Sequence, residues 1–503
     1  MRLQQLLLDG ASRAPEKTAF HWVERGRSLS YSSAVAAMDQ VAGALAGLGV
    51  ERGDRVGVFA HNGMDYLLTM FGTWRLGAIC ALVNVQYADR LDYYVNDAEP
   101  KVLIYTGDHH ETIERHRPNL STVRHLVCLD GARDGSMAWA ELLEGASPPP
   151  PDRTVEDDVA HLSYTSGTSG NPKGACLAHE PTMRATRCIA ERLRIDASDV
   201  TLGPTALSSS YHLVANLLPG LHRGATVCVM SKWEAEKGWV TLEELGATVL
   251  AANPTILRDV LDESGQRGRA PARLRLGVSG GAPVPPELKV AWRDRLGVTL
   301  AESYGQSELG GFVGLGSPDP VGDEKVLACG RPLPDKEVRI LGDDGRELPA
   351  GSIGEICLRG GFMAGYWRLP EKTAETLRGG WLHTGDVGYM DPDQFVYVRG
   401  RLSERLRVAG EYWYPRDVEE ALMRHPAIRE AALIGLSDAD LGHRPVACVT
   451  LRSEAFEPDE AIRFAEGELG RKLDYISIRV VEAMPMTPTG KISKAQLLES
   501  AST

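Results

Sequence analysis

Apolar residues recur every three or four positions through YSSAVAAMDQVAGALAGLGV, residues 31–50, which predicts a helix with one buried face. Ser32 or Ser33 is the expected N-cap, since a short hydroxyl side chain can accept a hydrogen bond from an orphan amide of the first turn. GDRVGVFA, residues 53–60, predicts a short buried strand, and YLLTMFGTWRLGA, residues 66–78, the next helix. KVLIYTG and HLVCLD predict two further short strands. This alternation predicts a largely parallel sheet covered by helices. GASPPPPDRT, residues 145–154, is a Pro-rich surface connector.

From about residue 324 the pattern changes. KEVRILGDDGRELPAGSIGEICLRG holds short strands around an Asp-Asp-Gly turn and predicts an antiparallel, β-rich subdomain. After VYVRGRLSERLRVAGEYW the pattern is small α+β: PRDVEEALMRH, IREAALIGL, RPVACVTL, DEAIRFAEGELGRKL and ISIRVVEAM. A boundary is expected near residues 400–404, and no repeat of fixed period is visible.

A chain of 503 residues exceeds what one core usually serves, so at least two domains are expected. The net charge of −13 argues against nucleic acid or an anionic membrane as the main partner. The eight cysteines are scattered singly with no Cys-x-x-Cys pair. Metal and disulfide frameworks are therefore not expected, and a reducing cytoplasm is the expected compartment. MRLQQLLLDGASRAPEK lacks the apolar core of a signal peptide, and no apolar run is long enough to span a bilayer.

Four segments carry candidate chemistry. YTSGTSGNPKG, residues 164–174, cannot build a helix and has no apolar face. Its amides and hydroxyls could converge on phosphate oxygens with Lys173 as a point charge, although it is not a Walker A loop. Composition alone leaves a flexible linker equally open. ESYGQSE, residues 302–308, offers Tyr304 for stacking on a base and Glu308 for Mg²⁺, or simply a surface turn. GWLHTGDVGYMD, residues 380–391, places Asp386 in an expected Gly-Asp turn, suited either to ribose hydroxyls or to an Asx turn. PMTPTGKISKAQL, residues 485–497, sets Lys491 just before a short amphipathic helix, where a solvated surface lysine is the plainer alternative.

In this order the four segments resemble the adenylate-forming superfamily of acyl-CoA synthetases, peptide-synthetase adenylation domains and beetle luciferases. SGGAPVPPEL, GEICLRGGFMAGYW and RPLPDKEVRI extend the resemblance along nearly the whole chain. It implies an α/β fold: a large multi-subdomain N-terminal domain over residues 1–401, with parallel βα layers plus a β-rich subdomain, and a small mobile α+β C-terminal domain over 402–503. It implies that Thr165, Ser166, Gly167, Thr168, Ser169, Gly170 and Lys173 form a mobile loop on the β- and γ-phosphates of ATP. Gly281, Ala282 and Pro283 would line the adenine, with Tyr304 stacked on it and Gly305 following. Ser307 would replace the usual Thr near the α-phosphate. Glu308 would hold Mg²⁺, Asp386 would clamp the ribose with Arg401 nearby, and Lys491 would bridge the carboxylate and the α-phosphate. His212 matches an aromatic-His position beside the acyl pocket, whose lining would include Tyr211, Leu213, Asn216, Ser279, Ser303, Gly310 and Gly311. Apolar lining with a few polar groups suits an aryl, alicyclic or medium-length acyl acid.

The implied activity is an ATP-dependent acid–CoA ligase that forms an acyl-AMP and releases pyrophosphate. Glu404 stands at the pivot where the family usually has Asp. Just beyond it, Val408-Ala409-Gly410-Glu411-Tyr412-Trp413 replaces Ser-Gly-Gly-Glu-Asn-Val, where the loop borders the pantetheine tunnel. Drift at tolerant sites and altered CoA handling are both open. The alternatives are a stand-alone adenylation enzyme serving a carrier protein or other nucleophile, a specialist in one half-reaction, or a nucleotide-binding pseudoenzyme. Oligomeric state is not legible, and a homodimer is left open.

Overall fold

Short apolar strands separated by amphipathic helices build two large sheets rather than one. The computed structural model describes residues 1–165, 171–452, 455–486 and 492–501. Its contacts divide the chain into two compact units, Met1–Val338 with Leu358–Leu382, and Arg339–Cys357 with His383–Thr503.

In the first unit, an eight-stranded sheet runs in the order Gly365–Tyr366, Gly174–Ala178, Val159–Tyr164, Ile79–Leu82, Arg55–Phe59, Val102–Tyr105, His125–Cys128, Met137–Ala138. Its pairings are parallel from Val159–Tyr164 onward, and the first two strands join antiparallel. A nine-stranded sheet is parallel through Thr299–Tyr304, Leu276–Ser279, Val249–Ala252, Val200–Gly203, Thr226–Val229 and Thr18–Trp22, with antiparallel edges. The single sheet expected from the front of the chain is therefore half of the arrangement. Strongly twisted sheets rarely pass about ten strands, so the remaining strands form a second layer. One continuous core takes side chains from both sheets, including Val56, Val58, Val227 and Val278, and from helices between them, including Met38, Phe71, Trp74 and Ile189.

The helix Tyr31–Gly47 starts earlier than its capping residues suggested. Ser30 is the N-cap, and its side chain accepts the Ser33 amide at 3.2 Å. Ser30 retains extended backbone angles while Ser32 and Ser33 are already helical, which decides between neighbouring hydroxyls.

The second unit carries most of a four-stranded sheet, ordered Glu337–Leu341, Gly354–Arg359, Leu382–Met390, Val396–Arg401. Its last pair is antiparallel, with Asp386 opposite Arg401. A five-stranded sheet follows, in which Gly442–Leu451 is the central strand and its hairpin partner Ile428–Asp438 forms one edge. The helices Pro415–Met423 and Pro458–Leu469 close its core around Val418, Leu422, Ala461 and Ala465. All eight cysteines are free. No helix of the described residues is long and apolar enough to cross a membrane.

Three histidines buried in the first unit are held neutral. Burial lowers His161 to about 3, and His179 and His212 to about 4. The unfolded chain takes up these protons below about pH 6.5 while the folded chain resists, so stability falls on acidification. Between about pH 6.5 and 5, each proton contributes a slope approaching about 1.4 kcal/mol per pH unit. His161→Gln should remove one proton from that slope in urea unfolding curves. An unchanged slope would contradict the neutral, buried assignment.

Candidate active site

The antiparallel strands Val159–Tyr164 and Gly174–Ala178 pair Tyr164 with Gly174 and so bring the two ends of the Ser/Thr/Gly loop together. The Thr165 amide donates to the Lys173 carbonyl at 3.0 Å, and the Lys173 amide donates to Thr165 Oγ1 at 3.1 Å. Ser166, Gly167, Thr168, Ser169 and Gly170 lie outside the described residues. The loop's exit is anchored: Tyr93 Oη donates to the Pro172 carbonyl at 2.6 Å, and Arg90 Nη2 to Asn171 Oδ1 at 2.9 Å.

The edge strand Gly365–Tyr366 pairs with Gly174–Ala178 and sets Tyr366 opposite Ala175. Lys173 Nζ lies 4.9 Å from the centre of the Tyr366 ring. The same tyrosine's hydroxyl donates to Glu308 Oε1 at 2.6 Å. The Met363 amide fixes the Glu308 carbonyl at 2.8 Å, and Ser307 Oγ reaches the Tyr164 carbonyl at 3.5 Å. Thr165, Lys173, Ser307 and Glu308 thus share one neighbourhood, with Tyr366 as the link that sequence reasoning missed. Tyr366 sits inside GEICLRGGFMAGYW, but nothing in that spacing signals a hydroxyl aimed at a carboxylate. Tyr304 ends the strand Thr299–Tyr304 and Gly305 follows it, while Gly281, Ala282 and Pro283 lie just beyond its parallel neighbour Leu276–Ser279. The segments beyond the carboxyl ends of adjacent parallel strands are where open α/β sheets bind ligands.

His212 ends a short helical turn and runs into a π-helical stretch, Leu213–Leu217. The wider turn is a distortion often found at functional sites. His212 is fully buried, with Nδ1 2.6 Å from the Thr205 carbonyl and Nε2 3.3 Å from Asn216 Nδ2. These partners place the proton on Nδ1, so Nε2 accepts from the amide. The Tyr211 hydroxyl donates to the Val278 carbonyl at 2.7 Å, and Ser303 Oγ to the Ser279 carbonyl at 2.9 Å. Leu213 is buried beside them in sequence, within the π-helical stretch. Asn216 Oδ1 and Ser279 Oγ are buried without a hydrogen-bond partner among the described residues. Gly310 and Gly311 lie against the helix His179–Arg192, where a Cβ would fall 3.0 Å from Thr182 Cα and 2.6 Å from Ala185 Cβ respectively. Close packing on that helix accounts for glycine at both positions.

In the second unit, Asp386 lies inside the continuous strand Leu382–Met390, not in the isolated turn its Gly-Asp sequence suggested. Cross-strand pairing with Val396–Arg401 is the reason, and Arg401 Nε meets Asp386 Oδ1 at 2.8 Å. The Asp386 amide donates to Thr384 Oγ1 at 3.0 Å, and that hydroxyl donates to the Ile356 carbonyl at 2.6 Å. Asp386 is 5% exposed, so its carboxylate is held by neighbours rather than by water. Lys491 lies outside the described residues. Three residues on, Lys494 binds Glu404 at 3.0 Å and Glu419 at 2.8 Å. Burial disfavours the charge on Lys494, yet Glu419 and Glu404 outweigh it and raise the pKa above its ordinary value. Glu404 is thereby tied to the helix Lys494–Ala501.

Residues 7–367 match the model of the AMP-binding enzyme family, and residues 417–491 match the AMP-binding enzyme C-terminal domain. The chain belongs to the AMP-binding enzyme family. It is 30% identical to a sulfoacetate–CoA ligase of Cupriavidus necator, covering 99% of this chain and 98% of that protein. It is 30% identical to the fatty acid–[acyl-carrier-protein] ligase ScoC of Streptomyces coeruleorubidus, covering 94% and 91%. The crystal structure of the anthranilate CoA ligase AuaEII with anthranoyl-AMP superposes with a TM-score of 0.89 at 26% identity, covering 100% of this chain and 97% of that one. The chain is thus an enzyme of the adenylate-forming ligase class.

Within this AMP-binding enzyme the segment after Glu404 has a physically legible backbone. Leu406–Val408 and Glu411–Trp413 form a hairpin whose two-residue turn, Ala409-Gly410, has φ of 50° and 91°. Two positive φ values match the twist of paired strands and favour glycine at both places. Ala409 therefore carries strain. The strands' alternation separates Tyr412 from Trp413: Tyr412 is 43% exposed with Arg405 3.6 Å over its ring, while Trp413 packs in the core with Val418 and Leu422. Ala409→Gly should relieve the left-handed backbone cost, partly offset by the freer unfolded chain, for a net gain of up to about 1 kcal/mol. Thermal unfolding of the second unit measures it, and a clear loss of stability would contradict the strain.

Proposed function

We propose that the protein is an AMP-forming acid–thiol ligase that activates a carboxylic acid with ATP and passes the acyl group to CoA. The observation that carries this reading is the placement of the Lys173 ammonium and the Glu308 carboxylate on one side chain, Tyr366, at the mouth of the hydroxyl-rich loop. A phosphate chain needs a cation, and Mg²⁺ needs oxygen donors. Glu308 fits that ion: Tyr366 occupies Oε1, and the carboxylate is a hard donor. When bound, Mg²⁺ neutralises phosphate charge and polarises the phosphoryl group.

The chain's own residues supply the rest. Thr165 and Lys173 fix the loop that covers the outer phosphates. Asp386, its carboxylate oriented by Arg401, accepts hydrogen bonds from the ribose hydroxyls. Lys491 places its ammonium between carboxylate and α-phosphate, where two anions must approach. The acid is already ionised near neutral pH, so its oxygen attacks the α-phosphorus without a general base, and pyrophosphate leaves. The CoA thiol then attacks the acyl carbon and releases AMP. Neutral His212 serves as a fixed wall and hydrogen-bonding group, since burial keeps it from carrying a proton near neutral pH. The buried Asn216 Oδ1 and Ser279 Oγ favour a compact aryl or acyl acid bearing a hydrogen-bonding substituent. Residues 402–503 are proposed to move as a domain about Glu404 between the half-reactions.

The second reading is transfer to a carrier protein or another nucleophile, favoured by the strained Ala409-Gly410 turn and the exposed Tyr412 in place of the usual sequence. Incubation with ATP, Mg²⁺ and a panel of acids, with and without CoA, separates the two. Thioester with AMP supports the first; pyrophosphate with stalled acyl-AMP supports the second; no acid-dependent pyrophosphate rejects both. Lys491→Ala should lower acid-dependent pyrophosphate exchange by about two to three decades while changing ATP binding only modestly. Near wild-type exchange would remove Lys491 from its assigned role.

A further inference from the structure

Glu355 and Cys357 alternate along the strand Gly354–Arg359, so their side chains leave one face of the sheet. His383, the second residue of the neighbouring strand Leu382–Met390, meets them there. His383 Nδ1 lies 2.8 Å from Glu355 Oε2 and 3.3 Å from Cys357 Sγ. The three ligand atoms all fall within 4.8 Å of one another. Cys357 is fully buried, whereas the His383 and Glu355 side chains retain 12% and 13% exposure, enough for an ion to enter from their side.

We propose that Glu355, Cys357 and His383 form a site for a thiophilic divalent cation of the Zn²⁺ type, separate from the nucleotide's Mg²⁺. One thiolate, one imidazole and one carboxylate are the donors that zinc takes, and three protein ligands leave a fourth position for water. A hard ion such as Mg²⁺ would prefer oxygen alone. Binding follows a simple proton balance. The Cys357 thiol loses its proton to solvent as sulfur joins the metal, and the proton that Nδ1 shares with Glu355 moves to Nε2, freeing the Nδ1 lone pair. Both strands are rigid, and the Gly385 amide donates to Glu355 Oε1 at 3.1 Å, holding the carboxylate in orientation. Gly385 precedes Asp386, so the cation would tie together the two strands that support the ribose-binding carboxylate. The other cluster of this kind among the described residues, His61, Asp108 and His109, has no sulfur and a more exposed aspartate.

The test uses full-length protein stripped with a chelator and titrated with Co²⁺ alone. The wild type should bind one cobalt with a sulfur-to-cobalt charge-transfer band and release one proton. Cys357→Val and Cys357→Ser, checked for folding by circular dichroism, should lose the band while keeping metal-free folding and Mg²⁺-dependent adenylation. A variant with His61→Ala and Asp108→Ala should keep it. Should either cysteine variant fail to fold, Glu355→Gln should weaken cobalt binding by at least about tenfold. No band in the wild type, a band persisting in both cysteine variants, or unchanged affinity in Glu355→Gln would overturn the site.

Discussion

The antiparallel ladder at the edge of the eight-stranded sheet is the constraint on which the first unit's chemistry depends. Gly174–Ala178 pairs on one side with Val159–Tyr164 and on the other with Gly365–Tyr366. That register joins the ends of the hydroxyl-rich loop and sets Tyr366 beside its lysine. The Tyr366 ring then takes Lys173 over it while the hydroxyl of the same rigid group donates to Glu308. A one-residue slip would turn Tyr366 to the other face of the sheet and separate the cation from the carboxylate. The geometry of the proposed phosphate site is thus set by strand pairing between segments almost two hundred residues apart in the chain.

The second unit solves a related problem by ion pairing. Asp386 is nearly buried, and a buried carboxylate is costly unless charge and hydrogen bonds compensate it. Arg401 across the ladder compensates it and fixes its direction, while the Thr384 hydroxyl accepts the Asp386 amide and so holds the backbone. Glu404 is likewise committed, through Lys494, to the helix that follows Lys491. The segment expected to act as a pivot and the segment carrying the expected catalytic lysine are therefore coupled within one compact unit.

Much of this was legible in the sequence because the signals are local. Period and turn residues located the strands at Arg55–Phe59 and Val102–Tyr105, the helix after Tyr31, and the small α+β segments after residue 401. The order of the loop, Glu308, Asp386 and Lys491 carried the family. What escaped was set by tertiary register. Neither the division into two large sheets nor the Tyr366 link follows from spacing. Asp386 looked like a turn residue because Gly-Asp favours turns locally, and a cross-strand partner overrode that preference. Gly310 and Gly311 read as pocket lining, and the packed helix that a Cβ there would meet is a further constraint that spacing does not show. At Ala409 the residue change was visible, whereas its backbone angle was not.

In the proposed reaction a carboxylate oxygen of the substrate attacks the α-phosphorus of ATP. Supplying an accepted acid with both carboxyl oxygens replaced by the heavy isotope, together with ATP, Mg²⁺ and CoA, tests it most directly by mass spectrometry of the products. One heavy oxygen is expected in AMP and none in pyrophosphate. Label in inorganic phosphate, or unlabelled AMP alongside product, would contradict it.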